Sequence, residues 1–270
     1  ETEGDLVQVS IVADQKSVLE NEEPTFTVKI NTKLDHDLIV TLSNDAKVTI
    51  KAGDTSAQYT HAEQGDDVYK DAGEISLGLK SAVDATGATF ENLQLGDPAS
   101  VKVEDTTSEV IAKLTATSSV TEGGEITYTI TLTNKDGLPI NNHAPLYFKL
   151  ADGTNIVVAA NSTTGSTTVA APDNVYTGTN PPVVNAIASV SGADEWKFEQ
   201  LTLDKTEVKT QVTDEPGTPG NEGDIVKVTI EANETSVLEN EKPTFTVKIN
   251  TVLDHDLIVT LSNDAKVTIK

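Results

Sequence analysis

The sequence predicts an all-β chain of tandem immunoglobulin-like Greek-key β-sandwich domains in a linear array, and three observations lead there. Val, Ile and Leu fall in short alternating runs with abundant Thr, the composition of half-buried strands. Residues 3–51 recur as 222–270 at a constant offset of 219, with 40 of 49 positions identical. That offset is too long for a solenoid repeat and suits two sandwich domains. Within one unit, seven short strand patterns are divided by Asp, Asn, Gly and Pro, as in the immunoglobulin class.

Period-two alternation places the strands of the first unit at 6–13, 24–31, 37–43, 46–51, 55–62 and 73–80. The seventh covers 89–103 and is interrupted at Gly96-Asp97-Pro98. Inward positions are Val7, Val9, Ile11, Phe26, Val28, Ile30, Leu38, Val40 and Leu42, continuing through Val48, Ile50, Tyr59, Ile75, Leu77 and Leu79. The middle of the chain is a diverged copy, shown by landmarks in order. Ser17-Val18-Leu19-Glu20 corresponds to Ser119-Val120-Thr121-Glu122, and Asp66-Asp67-Val68-Tyr69 to Asp173-Asn174-Val175-Tyr176. There Trp196 and Phe198 are expected to be the largest core side chains.

The domains are therefore 1–103, a diverged 104–213, and 225–270 as the N-terminal half of a second copy of the first. Residues 214–224, DEPGTPGNEGD, lack periodicity and hold two prolines and three glycines, so they read as a linker. Half a sandwich leaves an apolar face and strand edges open, so 225–270 is expected to exchange strands with a neighbouring molecule.

Composition narrows the function. The net charge of −24 is spread as −11 over 1–103, −7 over 104–213 and −6 over the rest, and every cation is a lysine. Such a chain repels nucleic acid and anionic membrane surfaces, and divalent cations are its natural partner. The chain has no cysteine, and units of this size need no disulfide to fold. No apolar run is long enough to span a bilayer, and Glu1 opens no signal peptide, so the sequence reads as an internal fragment.

Strand parity then gathers the acids. In a seven-stranded up-and-down path, the loops after the first, third and fifth strands meet at the pole where the seventh strand exits. The first of these loops carries Glu20, Glu22 and Glu23, and the third carries Glu63, Asp66, Asp67 and Asp71. The seventh strand ends at Glu104 and Asp105, beside the next domain. The second unit repeats the pattern with Glu122, Asp173 and Asp214. Carboxylates packed this closely repel, and Ca²⁺, which takes six to eight oxygens in irregular geometry, suits such a set better than Mg²⁺. The expected metal ligands are Glu20, Asp66, Asp67, Glu104, Asp105, Glu122, Asp173 and Asp214. The alternative is that these are solvated loop acids of an acidic protein.

The runs SVTEGGEITYTITLTN (119–134), VAAPDNVY (169–176) and the V-x-D at 103–105 resemble the extender repeats of bacterial RTX-type, LapA-like biofilm adhesins. The resemblance covers nearly the whole chain. It implies stacked immunoglobulin-like modules between an anchor and distal adhesive domains, outside the cell, with calcium between neighbouring repeats. By position it carries the acidic role to Glu20, Asp66, Asp67 and Asp105, and to Glu122, Asp173 and Asp214. Asn174 departs from the pattern, where an Asp is expected, and the glycine-aspartate nonapeptides of the RTX β-roll do not occur.

Enzyme function has no supporting constellation: there is no cysteine, no G-x-S-x-G and too few aromatics for a glycosidase cleft. The Asp-His-Asp triplets at 35–37 and 254–256 place adjacent residues that rarely face one ion, which disfavours zinc. Asp35, Asp37, Asp136, Asp194, Asp254 and Asp256 could reach a junction ion from the preceding domain, and read more simply as turn acids. A spacer gains reach by copying itself, so near-identical repetition favours a structural extender of a cell-surface adhesin. An adhesive ligand site on the second unit, through Asn141 to His143 and the 177–183 segment, is the other reading.

Overall fold

The computed structural model describes residues 5–178, 180–192, 194–218 and 223–270. Residues 1–4 of the first expected domain, Thr179 of the 177–183 loop and residues 219–222 of the expected linker lie outside them. Apart from a short 3-10 turn at Glu195–Lys197, the regular elements are all strands.

The first module contains β1 (Leu6–Ala13), β2 (Ser17–Leu19), β3 (Thr25–Ile30), β4 (Leu38–Leu42) and β5 (Lys47–Ile50). It continues with β6 (Ser56–Thr60), β7 (Gly73–Leu77), β8 (Leu79–Asp84), β9 (Asn92–Leu95) and β10 (Ala99–Glu104). One layer is ordered β6-β3-β1-β9. The other joins β2-β10-β7 to β5-β4-β8, because β8 continues β7 past Gly78. Strand β3 pairs with β6 although β4 and β5, between them in sequence, lie in the opposite layer, which is the Greek-key crossing.

Two features depart from the expected seven strands. The first strand keeps its expected bounds and pairs parallel with β9, but a further short strand, β2, forms in the loop after it and pairs parallel with β10 in the other layer. The sixth runs on to Asp84, and the register of β4 against β8 shifts between Thr41 and Leu42. There Ser43 donates its N–H to Gly78 O at 2.9 Å, and Gly78 N–H donates to Ser43 Oγ at 3.0 Å. The break at residues 96–98 falls where the sequence places it, between β9 and β10.

Alternation decides what is buried. Val7, Val9, Ile11, Phe26, Val28, Ile30, Leu38, Val40, Leu42, Val48, Ile50 and Leu77 form the core with Val18, Ala82, Val101 and Val103, and Tyr59, Ile75 and Leu79 pack at its edge. Burial of each large side chain stabilises by about 1.5–3 kcal/mol, enough together to hold a cysteine-free module.

The second module repeats the plan with β11 (Glu109–Ala116), β12 (Ser119–Thr121), β13 (Glu125–Asn134), β14 (Leu146–Leu150) and β15 (Asn155–Val158). Strands β16 (Thr164–Ala170), β17 (Val183–Asn185), β18 (Ile187–Ser191), β19 (Gln200–Leu203) and β20 (Val208–Thr213) complete it. Its layers are β16-β13-β11-β19 opposite β12-β20-β17 with β15-β14-β18. Phe198 is core as expected, but Trp196 is not: it sits on the 3-10 turn, off the strand alternation, and is 69% exposed.

The remaining strands, β21 (Val228–Ala232), β22 (Phe245–Ile249), β23 (Leu257–Thr260) and β24 (Lys266–Ile269), form two separate hairpins. Phe245, the copy of fully buried Phe26, is exposed.

Candidate metal centre

The acids are positioned by strand direction. Strand β10 runs parallel to β2 and antiparallel to β7, with Val103 opposite Gly73. The 20–24 turn, the 61–72 loop and the end of β10 therefore share one pole. The turn after β4 does not reach it, because β4 ends level with Gly78, partway along the sixth strand; its Asp45 pairs instead with Lys80 at 2.5 Å.

At this pole Glu20 leaves β2 with its N–H bonded to Glu104 O at 2.9 Å, and its own carbonyl accepts from Gly65 N–H at 3.0 Å. Gly65 holds φ at 113°, a value that favours glycine, and so lets the long loop close on the turn. The Glu20 side chain is fully buried. One oxygen of Glu20, one of Asp67 and one of Asp71 all lie within 4.8 Å of one another, and Glu20, Asp105 and Glu199 form a second group by the same measure. Glu199 belongs to the second module, so the cluster straddles the seam.

Donors are too few for these acceptors. Thr106 N–H donates to Glu20 Oε1 at 3.1 Å. The single hydroxyl proton of Thr106 is within reach of Glu20 Oε1 at 3.2 Å, Asp66 Oδ1 at 2.7 Å and Glu199 Oε2 at 3.4 Å, and can serve one of them. Ser108 N–H donates to Glu199 Oε2, Asp71 N–H to Asp105 Oδ1 at 2.9 Å, and Tyr69 N–H to Asp67 Oδ1 at 2.6 Å. Glu20 Oε2 and Glu199 Oε1 are buried with no partner. None of the ion pairs among the described residues reaches the cluster.

Protonation responds accordingly. Burial, with the nearby Glu20 and Asp105 carboxylates, pushes Glu199 up to about 7. Burial also raises Glu20, and burial together with the charges of Asp67 and Asp105 raises Asp71.

The second junction repeats the framework with a different balance. Glu122 N–H donates to Thr213 O at 2.8 Å, Tyr176 N–H to Asn174 Oδ1 at 2.9 Å, and Gly178 N–H to Asp214 Oδ2 at 2.6 Å. Glu122, Asp173 and Glu215 form the close group. Here Glu122 Oε2 is served by Asn174 N–H at 3.3 Å, Asn174 Nδ2 at 3.2 Å and Asn180 Nδ2 at 3.0 Å. The amides at 174 and 180 satisfy the acid that is left short of donors at the first junction.

Of the eight acids singled out in the sequence, Glu20, Asp67 and Asp105 come together at the first junction, and Glu122 and Asp173 at the second. Asp66 borders the first group through the Thr106 hydroxyl. Asp214 stands outside the second close group, with Oδ1 buried and unpartnered. Glu104 contributes its carbonyl, while alternation along β10 turns its side chain to solvent. Sequence reasoning passed over Glu199 and Glu215 and left Asp71 out of the ligand set. A signal for Glu199 was available, since Phe198-Glu199 repeats Phe90-Glu91 ahead of the strand pattern L-x-L.

Serial immunoglobulin-like sandwiches with carboxylates gathered at the seams define a modular, repeat-built protein. The chain belongs to the LapA domain family, whose model matches residues 5–106, 109–215 and 224–270, one match to each module. It is thus a repeat chain of the biofilm-adhesin kind. No curated protein sequence matches it. Among solved structures it is similar to the type II cohesin dyad of the ScaA scaffoldin of Acetivibrio cellulolyticus, at 11% identity and TM-score 0.25 over 67% of this chain and 74% of that one. It is also similar to a marsupial T cell receptor, at 9% identity and TM-score 0.26 over 98% and 91%. A third is trypsin-activated alpha-2-macroglobulin of Escherichia coli, at 9% and 0.28 over 98% of this chain and 22% of that one. Likenesses at these scores carry no weight for function.

Proposed function

We propose that this chain is a structural extender of a bacterial cell-surface adhesin, projecting distal adhesive domains from the cell, with calcium at its module junctions. The observation that carries the cation reading is the pair of buried, unpartnered carboxylate oxygens on Glu20 and Glu199, one from each side of the seam. A carboxylate buried without a donor is costly; below about pH 7 the proton that Glu199 keeps lowers that cost, and above it a hard cation that takes only oxygen ligands does so.

Glu20, Asp67, Asp71 and Asp105 of the first module and Glu199 of the second would hold the ion. Bound there, it supplies positive charge that the lysines do not, and ties two modules whose acids otherwise push the seam open. At the second junction Glu122, Asp173 and Glu215 offer fewer acids, and two amides already satisfy Glu122, so weaker binding is expected there. LapA family membership supports the extracellular location and the non-enzymatic role. Affinity of the extracellular type, on the order of 10⁻⁴ to 10⁻³ M, is expected.

The experiment is small-angle scattering and thermal melting of the full chain in calcium and in chelator. Calcium should raise the melting temperature and fix the maximum dimension. A curve and a melt that do not change with calcium would refute the cation reading. The competing reading, glycan or peptide adhesion through the second module, would be favoured by strong specific binding of that module on a glycan array.

A further inference from the structure

We propose that the N-terminal pole of each module is a docking socket for the tyrosine that follows the acid loop of the module before it, a contact that holds with or without a cation. At the first junction this tyrosine is Tyr69. It is 3% exposed, and with Val68 it belongs to the hydrophobic core of the second module although both come from the first. Its ring lies 5.2 Å from that of Phe198, with Lys197 Nζ 5.7 Å from its centroid. Backbone bonds clamp the loop: Lys70 N–H donates to Lys197 O at 2.7 Å, and Glu199 N–H donates to Val68 O at 2.9 Å. The Tyr69 hydroxyl accepts the N–H of Asn142 at 2.9 Å.

The second junction has a different acid set and a longer connection, yet it makes the same contact. The Tyr176 hydroxyl accepts the N–H of Asp254 at 3.0 Å, and its ring stands edge-on to His255 at 6.0 Å. Asn142 and Asp254 are each followed by a histidine and occupy the same corner, between the strand pairs β13 and β14 and β22 and β23. A donor and acceptor matched at two seams that differ in their acids is a property of the module and not of the ion. Tyr176 is 40% exposed where Tyr69 is buried against Phe198.

The first module presents the same socket. Asp35 and His36 are the copies of Asp254 and His255 and are exposed. Phe90 and Glu91 stand where Phe198 and Glu199 stand, and Glu91 Oε2 accepts Asp5 N–H at 3.3 Å as Glu199 Oε2 accepts Ser108 N–H. The partner that this surface fits is the tyrosine-ended pole of another module of the same kind.

The test is residue-resolved amide exchange on the full chain in chelator and in calcium, comparing the unsubstituted protein with Tyr69→Phe and Tyr176→Phe. Each variant keeps the ring and removes the acceptor. Protection of the Asn142 amide should fall about fivefold in the first variant and that of the Asp254 amide likewise in the second, the fall expected for one lost neutral hydrogen bond. The fall should be equal in both buffers. Tyr176→Ala provides a control on folding, since Tyr176 lies outside the buried core; it should deprotect Asp254 and leave unchanged the Asn233 amide, which donates to Thr244 O within the β21–β22 hairpin at 2.9 Å. Asn142 and Asp254 amides that exchange freely in the unsubstituted chain, or that ignore loss of the hydroxyl, would overturn the proposal. Protection seen in calcium and absent in chelator would do so too. A chain that fails to respond to calcium while keeping these amides protected would sink the cation reading alone.

Discussion

Replacing Glu20 by glutamine separates a cation site from a merely acidic surface, because the two predict effects of opposite sign. Glu20 shares close groups with four carboxylates, Asp67, Asp71, Asp105 and Glu199, at separations within 4.8 Å. At that distance two unit charges repel by about 0.9 kcal/mol in water and about 3.5 kcal/mol at an effective dielectric of 20. Glu199 holds its proton up to about pH 7, so three such pairs count in full, and at the water value they come to roughly 2–3 kcal/mol. Screening by salt reduces this, and the neutral amide weakens the bond from Thr106 N–H. The variant should therefore be about 1–2 kcal/mol more stable than the unsubstituted chain in chelator, a rise of roughly 5–15 °C in the melting temperature of a module of this size. In calcium the same substitution removes a buried ligand, so affinity should fall about tenfold or more and the melting temperature should drop below that of the unsubstituted chain. Differential scanning calorimetry in the two buffers reads both. A stabilisation of the same size in both would show that the acids repel and hold no ion; destabilisation in chelator would show that the electrostatic reasoning is wrong.

The remaining predictions concern pH, the second seam, the core and the open half module. Glu199 stands at about 7 in the folded chain against an ordinary 4.5, so the folded state holds a proton that the unfolded state has released. In chelator that contribution to stability should be full below about pH 4.5 and lost as pH rises through 7, and melting curves at pH 5, 6, 7 and 8 with saturating calcium should lose this slope. Asn174→Asp turns a donor facing Glu122 into a fourth acid, so titration calorimetry should find tighter calcium binding at the second junction, and melting in chelator should fall. Phe148→Ala empties a fully buried position and should cost about 3–5 kcal/mol by denaturant unfolding. A peptide of residues 52–105, added to the full chain, should protect the Phe245 and Val247 amides from exchange, since their copies Phe26 and Val28 pair with β6 in the first module; unchanged exchange would show that the hairpins do not accept it.

The amino-acid sequence by itself determined the repeat, the all-β class, the alternation that sends Phe26 and Val28 inward, and the pole on which Glu20, Asp67 and Asp105 meet. Each of these follows from local periodicity or from the parity of strand direction, and neither depends on contacts between distant residues. Layer switching decided the rest. Whether Ser17–Leu19 forms a strand depends on β10 lying beside it, and no residue near it announces that partner. Trp196 looked like core by size, yet its burial depended on whether a strand or a turn carried it. Glu199 joins the first cluster only when the second module is docked, as Tyr69 enters a core that is not its own. Contacts of this kind join residues 73 positions apart, Tyr69 and Asn142, or 129, Tyr69 and Phe198, across a seam, where no periodicity reaches and where tertiary packing alone sets the distance.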